Sequence, residues 1–299
     1  MIILITGGAG FLGGSLASIL SLQIKTIITY STSPVNQNGH FILLHLDITD
    51  KKKVEDLFCR YRPDVIIHTA AIANAAICEN NKQYACSVNV CGVENIAIAA
   101  EKVNARLIYI STDNVFSGNK KFYAEEDGAE PSCFYGRTKL DGENIVISVC
   151  SDYCIARISL VYGISANLSK CFAEKIMIDL MNNKEVELFI DEYRSPIYLN
   201  NLCDILMELA LCKEFQGLYH ICGSKRVSRY EFGLKMAEIF HFSNELIVPI
   251  SISEVDFRYY RPADCSMINL KVSKLLKTRI WSLDEGLLHM KVLSEEYDQ

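Results

Sequence analysis

The sequence lacks several features that would fix its class at once. Its 299 residues carry 30 Lys and Arg against 36 Asp and Glu, a formal charge of −6. Without a basic excess there is no general footprint for a phosphate backbone, so a nucleic-acid partner is not expected; only a small local basic pocket stays open. Twelve cysteines are present, yet none forms a CxxC pair, and no ligand spacing calls for a metal. They sit in apolar or mixed runs, as free thiols of a reducing compartment do. No apolar run reaches the length of a membrane span. The opening "MIILITGG" shows no basic leader and no cleavage site, and begins directly as a strand. There is no internal repeat, charge block or low-complexity linker. These absences imply a soluble, cytoplasmic protein. At 50% hydrophobic, it can bury one large domain or two unequal ones.

What is present is alternation. Strands are expected at 2–6, 26–30, 41–46, 64–69, 106–111 and 154–158, and helices at 11–22, 51–61, 81–102 and 135–150. "STSPVNQNGH" at 31–40 reads as a loop. Almost uniformly apolar strands alternating with helices predict an α/β fold, a doubly wound parallel sheet of Rossmann type. The regularity weakens after residue 160. Helices are expected at 168–183, 201–213 and 230–240, a buried strand in "GLYHICG", and irregular chain at 257–267. The reading is a dinucleotide-binding domain at 1–163 and a smaller C-terminal substrate lobe from 164–195 and 223–299. The segment 196–222 returns to the main sheet.

"ILITGGAGFLGG" sets Gly7, Gly10 and Gly13 in a G-x-x-G-x-x-G pattern, with Phe11 and Leu12 opening the helix. Glycines permit the tight turn and close approach to a pyrophosphate, and the helix start adds a positive field. A ribose-binding carboxylate is expected about 20 residues further on. The second strand ends instead in Tyr30, Ser31 and Thr32, with neither carboxylate nor arginine. NADPH is therefore slightly favoured over NADH, with Ser31 at the ribose end. Asp47, next to Ile48, ends the third strand and could accept from the adenine amino group; the alternative is a helix cap, for which Asp50 is better placed. Ala70 and Ala71 end the fourth strand with side chains small enough to pack against a cofactor. His68 reads as a structural histidine.

"RLIYISTDNVF" brings Ser111 and Thr112 to the C-terminal end of the fifth strand, the edge that faces ligand in open parallel sheets. Tyr135 and Lys139 follow on one helix face, one turn apart. A ketone reduced by hydride needs a proton for its developing alkoxide. A phenol can donate it, a nearby ammonium lowers the phenol's pKa, and a second hydroxyl holds the carbonyl oxygen. Thr112 is the chosen hydroxyl over Ser111.

With "GGAGFLG", "PDVIIHTAA", "STDNVFSG", "YGRTKLDGE", "RSPIYLNNL" and "YEFGLKMAEIF", the chain resembles the extended short-chain dehydrogenases/reductases, and more narrowly the dTDP-4-dehydrorhamnose reductases. The resemblance covers nearly the whole chain. It implies NAD(P)H on the sheet and a nucleotide sugar between the lobes. Thr112, Tyr135 and Lys139 would be the catalytic trio, and Lys139 would also reach the nicotinamide ribose. Asn89 would order the substrate site, and Arg194 and Arg261 would meet substrate or its phosphates. The implied reaction is reduction of a 4-keto-6-deoxy nucleotide sugar. Two alternatives stay open: a nucleotide-sugar epimerase or dehydratase using Asp113 beside Thr112, and a non-catalytic regulatory subunit resembling that of methionine adenosyltransferase. Phe11 and Asn114 depart from the residues common in the reductases, a glutamine and a tyrosine. A homodimer is compatible with this reading.

Overall fold

The computed structural model describes residues 1–32, 40–165, 170–257 and 259–297. Most of the loop expected at 31–40, and the first residues of the helix expected at 168–183, lie outside the described residues. The strands are β1 (Ile2–Thr6), β2 (Lys25–Tyr30), β3 (Phe41–His45), β4 (Val65–His68), β5 (Arg106–Thr112), β6 (Tyr153–Ile158), β7 (Val161–Tyr162), β8 (Val186–Phe189), β9 (Tyr193–Arg194), β10 (Ile197–Tyr198), β11 (Gly217–Ile221), β12 (Val227–Ser228) and β13 (Ile247–Ile250). The helices are α1 (Phe11–Leu20), α2 (Lys51–Tyr61), α3 (Ala75–Asn80), α4 (Lys82–Cys86), α5 (Gly92–Lys102), α6 (Phe134–Val149), α7 (Phe172–Met181), α8 (Leu199–Leu211), α9 (Arg229–Phe240), α10 (Leu270–Ser273) and α11 (Leu283–Tyr297).

Seven strands form one parallel sheet in the order β11-β6-β5-β4-β1-β2-β3. The two-residue period of a strand sends alternate apolar side chains to opposite faces. Ile3 and Ile5 pack with Leu16 and Leu20 of α1 and Leu202 and Leu206 of α8. Leu4 packs on the other face with Phe58 of α2, Ile96 of α5 and Val146 of α6. Both faces are covered, which is why these strands read as continuous apolar runs. Strand order reverses between β1 and β4, and a crevice opens there at the C-terminal ends of the strands. β11 pairs with β6 at the sheet edge. A separate cluster gathers Tyr162, Tyr198, Phe232 and Leu287.

The chain departs from expectation in places. The helix expected over 81–102 comprises α4, a π-helical turn at Ser87–Cys91, and α5, with α3 preceding it. The parallel pairing of β8 with β13 was not anticipated. Their partners lie some 60 residues apart in sequence, so no local pattern announces them.

Helix α6 lies unusually close to the end of β5. A Cβ on Gly136 would sit 1.9 Å from the Asn114 carbonyl oxygen, and one on Gly142 would sit 2.2 Å from the Tyr109 hydroxyl. Both contacts are with buried or backbone atoms that cannot step aside. Gly136→Ala should therefore destabilise the protein by about 1–3 kcal/mol, as overpacking does, despite alanine's better helix propensity. Urea denaturation checks this; a gain in stability would mean that α6 is not seated so closely.

Candidate active site

The first turn is built to receive an anion. Gly7 has φ +74°, and a Cβ there would strike the Ala70 amide nitrogen at 2.7 Å. A Cβ on Gly13 would lie 2.4 Å from the Gly7 carbonyl oxygen. Helix α1 begins immediately afterwards, with no acidic residue in its first turn to repel a phosphate. A cavity of about 600 Å³ beside it is lined by Gly7, Gly10, Ser31, Asp47, Ile48, Ala70 and Ala71. An adjoining cavity of about 470 Å³ shares Gly10 and Ala71, and adds Phe11, Leu12 and Gly13. These residues fit a dinucleotide: a backbone cradle free of Cβ atoms, a helix start, and a long slot.

The Asp47 carboxylate accepts from the Thr49 amide at 2.9 Å and hydroxyl at 2.8 Å, which fixes its direction at the slot. Asp50, as expected, caps α2, accepting from the Lys53 amide. His68 is buried beneath the loop, with Nδ1 2.7 Å from the Thr6 hydroxyl. Burial, and secondarily the charge of Lys139, take its pKa down to about 3, so it is a neutral structural ring.

Alternation along β5 separates its two terminal hydroxyls. Ser111 donates to Glu143 of α6 at 2.5 Å, and Arg157 of β6 donates to the same carboxylate at 2.9 and 2.7 Å. Thr112 instead lies with Tyr135 and Lys139 at the 470 Å³ cavity. Its hydroxyl accepts from the Asn114 amide and side chain, each at 3.2 Å. Burial pushes the Tyr135 phenol well above its ordinary pKa, with a hydrogen bond to Thr112 acting the other way. The lowering expected from a neighbouring ammonium is not found, and burial holds the phenol neutral, as a proton donor must be. Lys139 is buried with Nζ 4.1 Å from the centre of the Tyr109 ring. Burial takes its pKa down to about 7, against the opposing pull of Glu143.

The far end of this cavity carries three arginines. Arg261 donates to Glu192 through Nε at 2.9 Å and Nη2 at 2.6 Å. Arg229 reaches the other oxygen of Glu192 at 3.3 Å. Arg194 is buried and engaged by the protein: it donates to the carbonyls of Tyr193 and Pro262, at 2.7 and 3.2 Å, and pairs with Asp113 and Glu192. Burial alone would raise the Glu192 carboxyl; Arg229, Arg194 and Arg261 overcome it and bring it down to about 2. Among the described residues, Nη1 of Arg229 is buried without a partner. Glu192 and Arg229 were missed in the sequence, where nothing marks a residue for a partner 37 positions away. Asn89 lines neither cavity. It sits in the π-helical turn, accepts from the Ile72 amide at 2.8 Å, and donates to the Ile72 carbonyl and Thr138 hydroxyl at 3.0 Å, bracing α6.

The family model described as "RmlD substrate binding domain" matches residues 1–292, and the chain belongs to that family, within the extended short-chain dehydrogenases/reductases. It is an NAD(P)-dependent oxidoreductase of that superfamily. The dTDP-4-dehydrorhamnose reductase of Aggregatibacter actinomycetemcomitans is 32% identical over 244 residues, 78% of this chain and 76% of the relative. Methionine adenosyltransferase 2 subunit beta of Xenopus laevis is 32% identical over 232 residues, 75% of this chain and 69% of the relative. The crystal structure of dTDP-4-dehydrorhamnose reductase from Bacillus anthracis in complex with NADP superposes with a TM-score of 0.84 at 26% identity, over 98% of this chain and 99% of that one. Among the described residues no helix is long and apolar enough to cross a membrane.

A lysine whose pKa is lowered on folding sheds a proton that the unfolded chain keeps, so raising the pH favours the folded state. The effect operates from about 7, the folded value of Lys139, up to the ordinary value of 10.5. Between about pH 7.5 and 8.5 the stability of the cofactor-free protein should rise with pH more steeply than that of Lys139→Met, by about 1 kcal/mol per pH unit. Urea melts of both proteins check this; equal slopes would contradict it.

Proposed function

We propose that this member of the RmlD family reduces the 4-keto group of a 6-deoxy nucleotide sugar, as the dTDP-4-dehydrorhamnose reductases it resembles are named for doing. The observation that carries the reading is the convergence of Thr112, Tyr135 and Lys139 on one cavity that continues into the glycine-loop slot. NAD(P)H, when bound, supplies the hydride. Gly7, Gly10, Phe11, Leu12 and Gly13 hold its pyrophosphate, Ala70 and Ala71 pack against it, and Asp47 and Ile48 meet the adenine. Ser31 lies at the ribose end, where the lack of a carboxylate slightly favours NADPH. Thr112 orients the ketone oxygen, and the neutral Tyr135 phenol gives it a proton. Lys139 favours the phenolate left behind and reaches the nicotinamide ribose. Residues 1–163 and 196–222 form the cofactor unit, and 164–195 and 223–299 the substrate lobe.

Arg261 and Arg229 take the anionic end of the substrate. Two carboxylates, Glu192 and Asp113, face three guanidiniums there, so one positive charge is left for a ligand. Arg194 and Asn89 act by bracing the site, because their polar groups already have protein partners.

Asp113 argues against the dehydratase reading. One carboxylate oxygen accepts from Asn114 at 2.9 Å and the other from Ser159 at 2.9 Å, which leaves it poorly placed as a free acid or base. Similarity to methionine adenosyltransferase 2 subunit beta supports a second reading, a cofactor-binding regulatory subunit. Stable co-purification with a second enzyme, without turnover, would favour it.

The test is steady-state oxidation of NADPH and NADH in the presence of dTDP-4-dehydro-L-rhamnose. Tyr135→Phe should lose at least about 100-fold in kcat, the usual contribution of a positioned acid. Arg261→Ala should raise KM by about 10- to 100-fold with a smaller change in kcat, the worth of a lost charge-assisted contact. No turnover with either cofactor, although both bind, would remove this substrate class.

A further inference from the structure

The end of β5 and the arginine cluster are joined by one carboxylate. Asp113 follows Thr112 directly and is buried. Its Oδ1 accepts from the Thr112 hydroxyl at 3.3 Å and from the Asn114 side chain at 2.9 Å. Its Oδ2 accepts from the Ser159 hydroxyl at 2.9 Å and lies 3.5 Å from Nε of Arg194. Ser159 in turn accepts from the Ser195 amide at 3.2 Å. Arg194 is tied to the Pro262 carbonyl and to Glu192, the carboxylate that Arg261 and Arg229 share. A continuous run of hydrogen bonds and ion pairs thus leads from the hydroxyl at the ketone end of the cavity to the guanidiniums at the other.

We propose that Asp113 is a positioning residue, a strut that fixes the rotation of the Thr112 hydroxyl relative to the segments around Arg194 and Pro262; this rests on the reductase reading above. A threonine hydroxyl has one proton and a free rotor. Here Asn114 donates to it twice, so its own proton is left for Asp113, with the Tyr135 phenol as the competing acceptor in the resting site. A ketone oxygen arriving at the cavity can compete for that proton without moving the heavy atoms. Four neighbours set the direction of the carboxylate, and one of them, Arg194, belongs to the substrate lobe, so a shift of that lobe reaches Thr112 through Asp113. Geometry of this kind acts on kcat more than on KM, because the hydroxyl aligns the ketone without anchoring the distant anionic end.

A double-mutant cycle separates this role from a general structural one. Asp113→Asn should lower kcat about tenfold in the Thr112 protein, with KM changed less than about twofold, and should cost less than about twofold in a Thr112→Ala background. An equal loss in both backgrounds would overturn the strut, since Asp113 would then act independently of Thr112. If Asp113→Asn does not fold, Ser159→Ala, which removes one donor to the same carboxylate, replaces it in the cycle with the same expectations. If the wild-type chain turns over no keto-sugar nucleotide, the reductase reading fails by itself. The strut is then decided by neutron diffraction from the deuterated wild-type protein: a Thr112 hydroxyl deuteron directed at Asp113 supports it, and one directed elsewhere overturns it.

Discussion

The site depends on how closely α6 is held against the end of β5. Tyr135 and Lys139 are carried by the helix and Thr112 by the strand, and the proposed reaction requires Thr112 and Tyr135 within reach of one oxygen atom with Lys139 beside them. Two glycines, Gly136 and Gly142, remove the side chains that would hold the helix away. A buried ion pair then fastens it: Glu143, one turn beyond Lys139, receives Arg157 from β6 and Ser111 from β5. Losing one partner of such a pair costs about 3–5 kcal/mol, because the other charge stays buried. Alternation along β5 does the rest. Ser111 is spent on the fastening, and the next residue, Thr112, is left for the cavity.

The same packing sets the electrostatics. Closing the helix onto the strand desolvates Lys139 and Tyr135 together, moving the amine down and the phenol up. The phenol is then neutral near physiological pH, and the amine is close to its midpoint. At the opposite end, three guanidiniums around one shared carboxylate create positive potential inside a chain whose overall charge is −6. A local positive potential can thus exist inside an acidic chain.

The first turn and the strands and helices of the main sheet were legible because their signals are local. A glycine turn between an apolar strand and a helix, or a tyrosine four residues before a lysine, is visible in one short window. Strand β1 and helix α2 fall where the sequence puts them. The arrangement of the C-terminal part was not legible, because its determinants are long-range. Glu192 finds Arg261 across 69 positions, and β8 finds β13 across two helices and four strands. Arg194 shows the limit most clearly. Its sequence context suggested a ligand contact, and only the carbonyls of Tyr193 and Pro262 reveal that the guanidinium is already occupied. The resemblance placed Asn89 at the substrate site, whereas its side chain braces α6 through Thr138.

The account's central claim is that this cavity transfers hydride from an exchangeable nicotinamide to a sugar ketone. The most direct test is isotopic. The protein would be supplied with NADPH deuterated at C4 of the nicotinamide together with dTDP-4-dehydro-L-rhamnose, and the product examined by mass spectrometry and proton NMR. The account predicts one deuterium at C4 of the sugar, in amounts matching the cofactor oxidised. Cofactor that binds while the sugar is recovered unlabelled and unreduced would contradict it.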